Sequence, residues 1–139
     1  MGTWGSGLLE NDTAQDVLEE YAEASPAQRL DSITRILSDP PLDESADVLV
    51  EEVITAAVVV AANLPDGADL PWNSGVPGIT EWLDKPLPVG LPALARDALT
   101  VTLPEDSWWW RSWTDPGDRE QAASSLARLT AVLDPEDAG

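Results

Sequence analysis

Apolar residues recur at helical spacing over most of this chain. Ala14, Val17, Leu18, Tyr21 and Ala22 fall at i, i+3, i+4, i+7 and i+8, which lays them on one face of a helix. Asp12 and Gln15 stand before that stripe as a capping box, the pattern that satisfies orphan amides at a helix start. Ser25-Pro26-Ala27-Gln28 repeats the grammar, with proline at the first helical position. Leu30, Ile33 and Leu37 then form the apolar face of a second helix, which Asp39-Pro40-Pro41 stops.

The third predicted helix runs from about Asp43 to Asn63. Its first half is amphipathic, with Asp47, Glu51, Glu52 and Thr55 on one side. Its second half, AAVVVAA, is apolar all round, the mark of a helix walled in by others. Three consecutive valines also suit a strand, but the flanking alanines and the helical spacing before them favour the helix.

From about 64 to 90 the texture changes. Six of the twelve prolines lie between Pro65 and Pro92, with four glycines and two tryptophans. A loop of that length inside a compact domain is uncommon unless it packs or functions. Ile79, Trp82 and Leu83 suit one helical turn that lays Trp82 on the core, and the prolines make the segment a stiff cover. Beyond it, Leu91, Leu94, Ala95, Ala98 and Val101 support a fourth helix, begun through Pro92 and ended by Pro104. EDSWWWRSW reads as one or two helical turns. Asp115-Pro116 opens a fifth helix with face Ala122, Leu126, Leu129 and Leu133, closed by Asp134-Pro135. No internal repeat or low-complexity tract appears. The expectation is an all-α, single-domain bundle of about five helices spanning residues 1–139, joined by proline-rich connections.

Composition narrows the chemistry. The chain has neither cysteine nor histidine, which removes disulfides, thiol catalysis, Ser-His-Asp triads, histidine zinc sites and the histidine pH switch. Lys85 is the single lysine, between Asp84 and Pro86. Any catalysis would fall to carboxylates. With 26 acids against 7 bases the net charge is −19. Such a charge keeps a protein soluble and steers it toward cationic partners. It argues against direct binding to nucleic acid, because no basic stripe exists to displace counterions.

The start lacks the basic and apolar regions of a signal peptide. The longest apolar run, Val53 to Ala62, is broken by Thr55 and is too short to cross a bilayer. Met1-Gly2-x-x-x-Ser6 satisfies a myristoylation pattern, but a single acyl chain anchors marginally and −19 opposes an anionic leaflet. A cytoplasmic protein with no membrane partner is expected.

The opening MGTWGSGLLENDT sets a tryptophan among glycines. Gly5 and Gly7 let the backbone turn tightly and approach closely, so Trp4 can lie across the bundle and tie down the terminus. A phosphate cradle is a poor reading of Gly2-x-x-Gly5-x-Gly7: there is no room for a preceding strand, no lysine, and acids follow. Met1-Gly2-Thr3-Trp4-Gly5-Ser6-Gly7, then Glu10-Asn11-Asp12, resembles the opening of the bacterial domain-of-unknown-function family 4259. The likeness continues through Ser25-Pro26, the Ala/Val-rich helix, Trp82-Leu83 and the run from Glu105 to Trp113. It departs from the family pattern at Leu8-Leu9, where an aromatic is usual, and in its excess of tryptophan. The resemblance implies an architecture and a bacterial cytoplasmic origin. It transfers no catalytic residue, because the family carries no established activity.

Two constellations remain. Asp43, Glu44, Asp47, Glu51 and Glu52 form the densest acid cluster, with Asp47 and Glu51 i, i+4 neighbours on a helix face. Such a face can be simply solvated, can receive a basic partner, or can hold a divalent cation or an acid–base pair. Trp108, Trp109 and Trp110 span too wide an arc for one core. Trp109 and Trp113 pack inward together at i, i+4, at positions where the resembled family has an apolar residue and a tryptophan. Trp108 and Trp110, beside Arg111, then form either an interaction patch or an outer layer of core.

The candidate partner-binding residues are therefore Trp108, Trp110, Arg111, Asp47 and Glu51. The structural anchors are Trp4, Gly5, Gly7, Asp12, Trp82, Trp109 and Trp113. No catalytic, cofactor-binding or metal-binding residue is assigned and no cofactor is implied. The expected role is a non-enzymatic interaction protein for a basic protein partner, a role that an immunity-type inhibitor of a cationic toxin fits. A carboxylate-dependent hydrolase through Asp47 and Glu51, and a homo-oligomer built on the tryptophan strip, are the alternatives.

Overall fold

The computed structural model describes residues 12–38, 50–64, 67, 70, 73, 76, 78–83, 87–88, 90–102 and 116–133. Five α-helices occur among them: α1 Asp12–Glu23, α2 Pro26–Ser38, α3 Val50–Ala62, α4 Leu91–Thr102 and α5 Pro116–Leu133. A 3-10 turn, Ile79–Glu81, lies between α3 and α4. There is no strand among the described residues, and the all-α bundle is what the chain forms. The reach of the third helix back to Asp43, the EDSWWWRSW turns and the Trp4 anchor lie outside the described residues.

α3 is the axis of the bundle. It touches α1, α2, α4 and α5, and every residue from Val53 to Ala62 is buried. This follows from composition: valine and alanine carry no polar atom to strand, and small side chains let neighbouring helices approach closely. Ala95 and Ala98 of α4 are buried in the same cluster. Thr55 departs from the sequence expectation. Helical spacing sets it with the acids on the polar side, but it is fully buried, because a helix surrounded on four sides has no wet face at that level.

The other helices bury one stripe each. In α1 this is Ala14, Val17, Leu18 and Tyr21, while Ala22, at the edge of the stripe in the last turn, is exposed. In α2, Ile33 and Leu37 are buried and Leu30 packs against them half-buried. In α5, Ala122, Leu126, Leu129 and Leu133 are all buried. α4 corrects the expectation at one position: Leu99 is buried and Val101 is 50% exposed. Leu91, Ala95, Ala98 and Leu99 define the inner face, and Val101 is rotated roughly 100° from its centre at 3.6 residues per turn.

The α1–α2 corner is closed by a reciprocal capping box. Gln28 N–H donates to Ser25 Oγ at 3.2 Å, and Ser25 N–H donates to Gln28 Oε1 at 3.1 Å. Pro26 begins α2, where a missing N–H leaves no bond unmade.

The proline-rich connection is ordered by a different period. Leu64, Gly67, Leu70, Asn73, Val76, Ile79 and Trp82 each donate their backbone N–H to the carbonyl three residues earlier, beginning from Ala61, over 3.0–3.3 Å. Every third residue is thus both donor and acceptor, and Gly67, Leu70, Val76, Ile79 and Trp82 are buried. The sequence supplies the turn chemistry at the same step: proline directly follows Leu64, Leu70 and Val76, the second position of a β-turn. Gly78 has φ 80° and ψ 0°, the conformation a type II turn reserves for glycine at its third position.

Gly67 is required for space. A Cβ there would run into the Ala61 carbonyl and lie 3.0 Å from Val132 Cγ1. Leu70, Val76, Ile79, Trp82 and Leu83 belong to the same apolar cluster as α3, so the connection is a fastened cover over the bundle.

Candidate interaction surface

Two side chains fasten that cover. Asn63, one residue past α3, is buried and donates through Nδ2 to Val59 O at 2.8 Å and Ile79 O at 2.9 Å. Its Oδ1 accepts the Leu83 N–H at 3.2 Å. Arg29 of α2 donates Nε to Tyr21 O, Nη2 to Ala22 O at 3.2 Å and Nη1 to Trp82 O at 2.9 Å. Its guanidinium also lies 5.3 Å from the Trp82 ring centre, within cation–π range. The last turn of α1 has no basic residue of its own. Arg29 places positive charge at that carbonyl end, where the helix dipole favours it.

Of the five arginines among the described residues, Arg29 is held by backbone carbonyls and Arg35 and Arg96 by acids of their own helices, while Arg119 and Arg128 are exposed on α5. Arg35 pairs with Asp31 at 2.8 Å within α2, and Arg96 pairs with Asp97 at 3.3 Å within α4. On α1, Asp16, Glu19, Glu20 and Glu23 are all exposed and stand at i, i+3, i+4 and i+7, one stripe of like charge. Each like-charge pair at helical spacing opposes the helix by roughly 0.2–0.5 kcal/mol. Among the described residues no ion pair relieves them.

Beside that stripe, Tyr21 turns inward and is 4% exposed. Its hydroxyl is buried with no hydrogen-bond partner among the described residues. Burial, then the charge of Glu52, then that of Glu20, hold its pKa well above the ordinary phenol value. Glu52 is half-buried on α3 and Glu20 exposed on α1, and those two helices pack together. The charges of acids on both helices thus oppose ionisation of the buried phenol.

The sequence-derived candidates are distributed unevenly over the structure. Trp82 is buried, 7% exposed, beneath Arg29. Asp12 begins α1 and Glu51 lies within α3, but their side chains are outside the described residues. Trp4, Gly5, Gly7, Asp47, Trp108, Trp109, Trp110, Arg111 and Trp113 lie outside the described residues altogether. Among the described residues no three acids come together as a cation site, and no helix is long and apolar enough to cross a membrane.

A family model described as Domain of unknown function (DUF4259) matches residues 2–125. The chain belongs to this family. The match covers the described helices from α1 through most of α5, so the Asn63 and Arg29 fastenings and the acid stripe of α1 all lie within the DUF4259 region. No curated protein and no solved structure matches the chain.

Sequence reasoning placed Tyr21 on the buried stripe of the first helix but passed over Arg29, the bonds of Asn63 and the acids of α1. Asn63 had a visible signal: an amide directly ending the apolar AAVVVAA run must find partners inside the bundle. Arg29 had none, because nothing in its neighbourhood announces Trp82, 53 residues away. The acids of α1 are legible as a stripe, since Asp16, Glu19, Glu20 and Glu23 recur at helical spacing.

Proposed function

We propose that this protein is a non-enzymatic, cytoplasmic interaction module whose anionic surface, led by the exposed face of α1, receives a basic protein partner. The observation that carries the reading is the separation of charge. Asp16, Glu19, Glu20 and Glu23 stand together on α1, which carries no base, while Arg29, Arg35 and Arg96 are engaged with carbonyls or with acids of their own helices and Arg119 and Arg128 lie on α5. A net charge of −19 accelerates encounter with a cationic protein and makes that encounter sensitive to salt. The absence of histidine and cysteine from the whole chain supports contact in place of covalent or acid–base chemistry at neutral pH.

The test is titration of the protein against a panel of small basic proteins at about 20 mM and about 150 mM salt, a range over which screening lengths change severalfold. The expected result is saturable binding to a subset of the panel, weakening as salt rises. Absence of binding to every basic protein at both salt concentrations overturns the reading.

A further inference from the structure

Among the described residues, α1 has less to hold it than the other helices. α2 packs on α3 and α4, α4 on α2, α3 and α5, and α5 on α3 and α4, while α1 packs substantially on α3 alone. Its grip is the stripe Ala14, Val17, Leu18 and Tyr21, and the Tyr21 hydroxyl is buried without a hydrogen-bond partner among the described residues. A stranded polar group regains water when its helix comes away, so burying it works against docking.

Charge works in the same direction. Asp16 neighbours Glu19 and Glu20 at helical spacing, and both of these neighbour Glu23, which makes four like-charge pairs. Glu20 and Glu23 also crowd the carbonyl end of α1, where the helix dipole disfavours acids and the last turn has no base. The rest of the chain is strongly acidic too, so docking brings like charges together. Arg29 is the latch at the joint. It reaches back across the corner to Tyr21 O and Ala22 O, while its bond to Trp82 O holds it to the cover.

We propose that α1 is a charge-gated arm, which its own acid stripe loosens from α3 and which a basic partner, by neutralising that stripe, locks in place. The locking step rests on the reading given above and deepens it by saying how the contact surface is regulated. Four carboxylates on a formed, docked helix present a denser charge than the same four on a loosened segment. A cationic partner therefore binds the docked state more tightly, and by that difference shifts α1 toward it.

The test is native-state amide hydrogen exchange on the full chain at neutral pH, which reads local opening segment by segment. At about 20 mM salt, where charges are weakly screened, amides of residues 16–23 are expected to exchange at least about tenfold faster than those of residues 53–62 in α3. An acetylated lysine dodecapeptide at saturation is expected to slow residues 16–23 at the same salt. Two variants that each remove two exposed negative charges identify the cause. E19Q/E23Q deletes three of the four like-charge pairs and is expected to slow these amides by about threefold or more, whereas E81Q/E120Q leaves them nearly unchanged.

Exchange of residues 16–23 at the rate of α3, or equal effects of the two variants, overturns the gate and leaves the acidic-module reading standing. Faster exchange that slows in E19Q/E23Q, with no binding of the peptide or of any basic protein, removes that reading and the locking step, while the charge-loosened helix stands.

Discussion

Leu83 is tied to Asn63 across 20 residues of chain by a hydrogen bond from its backbone N–H to Asn63 Oδ1 at 3.2 Å. The same amide grips Ile79 O through Nδ2, so both ends of the turn that carries Trp82 hang on one side chain. Asn63→Leu leaves Leu83 N–H and Ile79 O buried without those partners. The expected loss is about 3 kcal/mol of unfolding free energy, read from the urea midpoint at unchanged slope.

Arg29 joins the α1–α2 corner to the Trp82 turn, 53 residues further along the chain. Arg29→Lys keeps the charge but cannot reproduce a planar fork aimed at three carbonyls. It is expected to destabilise by about 1–3 kcal/mol, nearly as much as Arg29→Met. A thermal melt of the three proteins checks this. A lysine variant as stable as the parent shows that charge alone holds the corner.

Gly67 and Gly90 answer to different constraints. Gly67→Ala forces the cover off the end of α3, where a Cβ meets the Ala61 carbonyl carbon at 2.7 Å. Gly90 has φ 90° with nothing within 4 Å of an added Cβ, so alanine there meets strain in the backbone alone, about 1–2 kcal/mol. Chemical denaturation is expected to show Gly67→Ala as the more damaging of the two.

Tyr21 is the one tyrosine of the chain, which makes its titration directly visible in the ultraviolet. Its folded pKa is raised by burial and by Glu52 and Glu20. The neutral phenol therefore contributes stability that is fully present below the unfolded value near 10 and is lost as pH rises beyond it. Tyrosinate absorption is expected to appear together with unfolding, and not before it, as pH is raised. Tyr21→Phe removes the orphaned hydroxyl and is expected to raise the stability of the free protein by about 1 kcal/mol at neutral pH.

The helices were legible because their stripes obey a 3.6-residue period and their ends carry capping signals; Ser25 and Gln28 form the reciprocal bonds their spacing implies. Burial at the margins was less so, as Val101 and Thr55 show: periodicity gives a helix its inner direction, but only the neighbours decide how wide an arc is covered. The connection after Asn63 hid its order because its period is three, a step that neither the helical nor the strand template detects. Its turn residues, Leu64-Pro65-Asp66-Gly67 and Val76-Pro77-Gly78-Ile79, nonetheless spell that step in the sequence. Contacts such as Arg29 with Trp82 are set by how α2 meets the cover, and no local pattern encodes them.

The most direct test of the anionic contact surface compares two variants that each remove four exposed negative charges. One, D16N/E19Q/E20Q/E23Q, clears α1; the other, D31N/E81Q/D97N/E120Q, clears four exposed acids elsewhere. Titrated against a basic protein that binds the parent, the α1 variant is expected to lose at least about tenfold more affinity than its counterpart, beyond what a uniform charge effect gives. Equal losses in the two variants contradict the account, for then the partner responds to total charge and α1 is merely part of the skin.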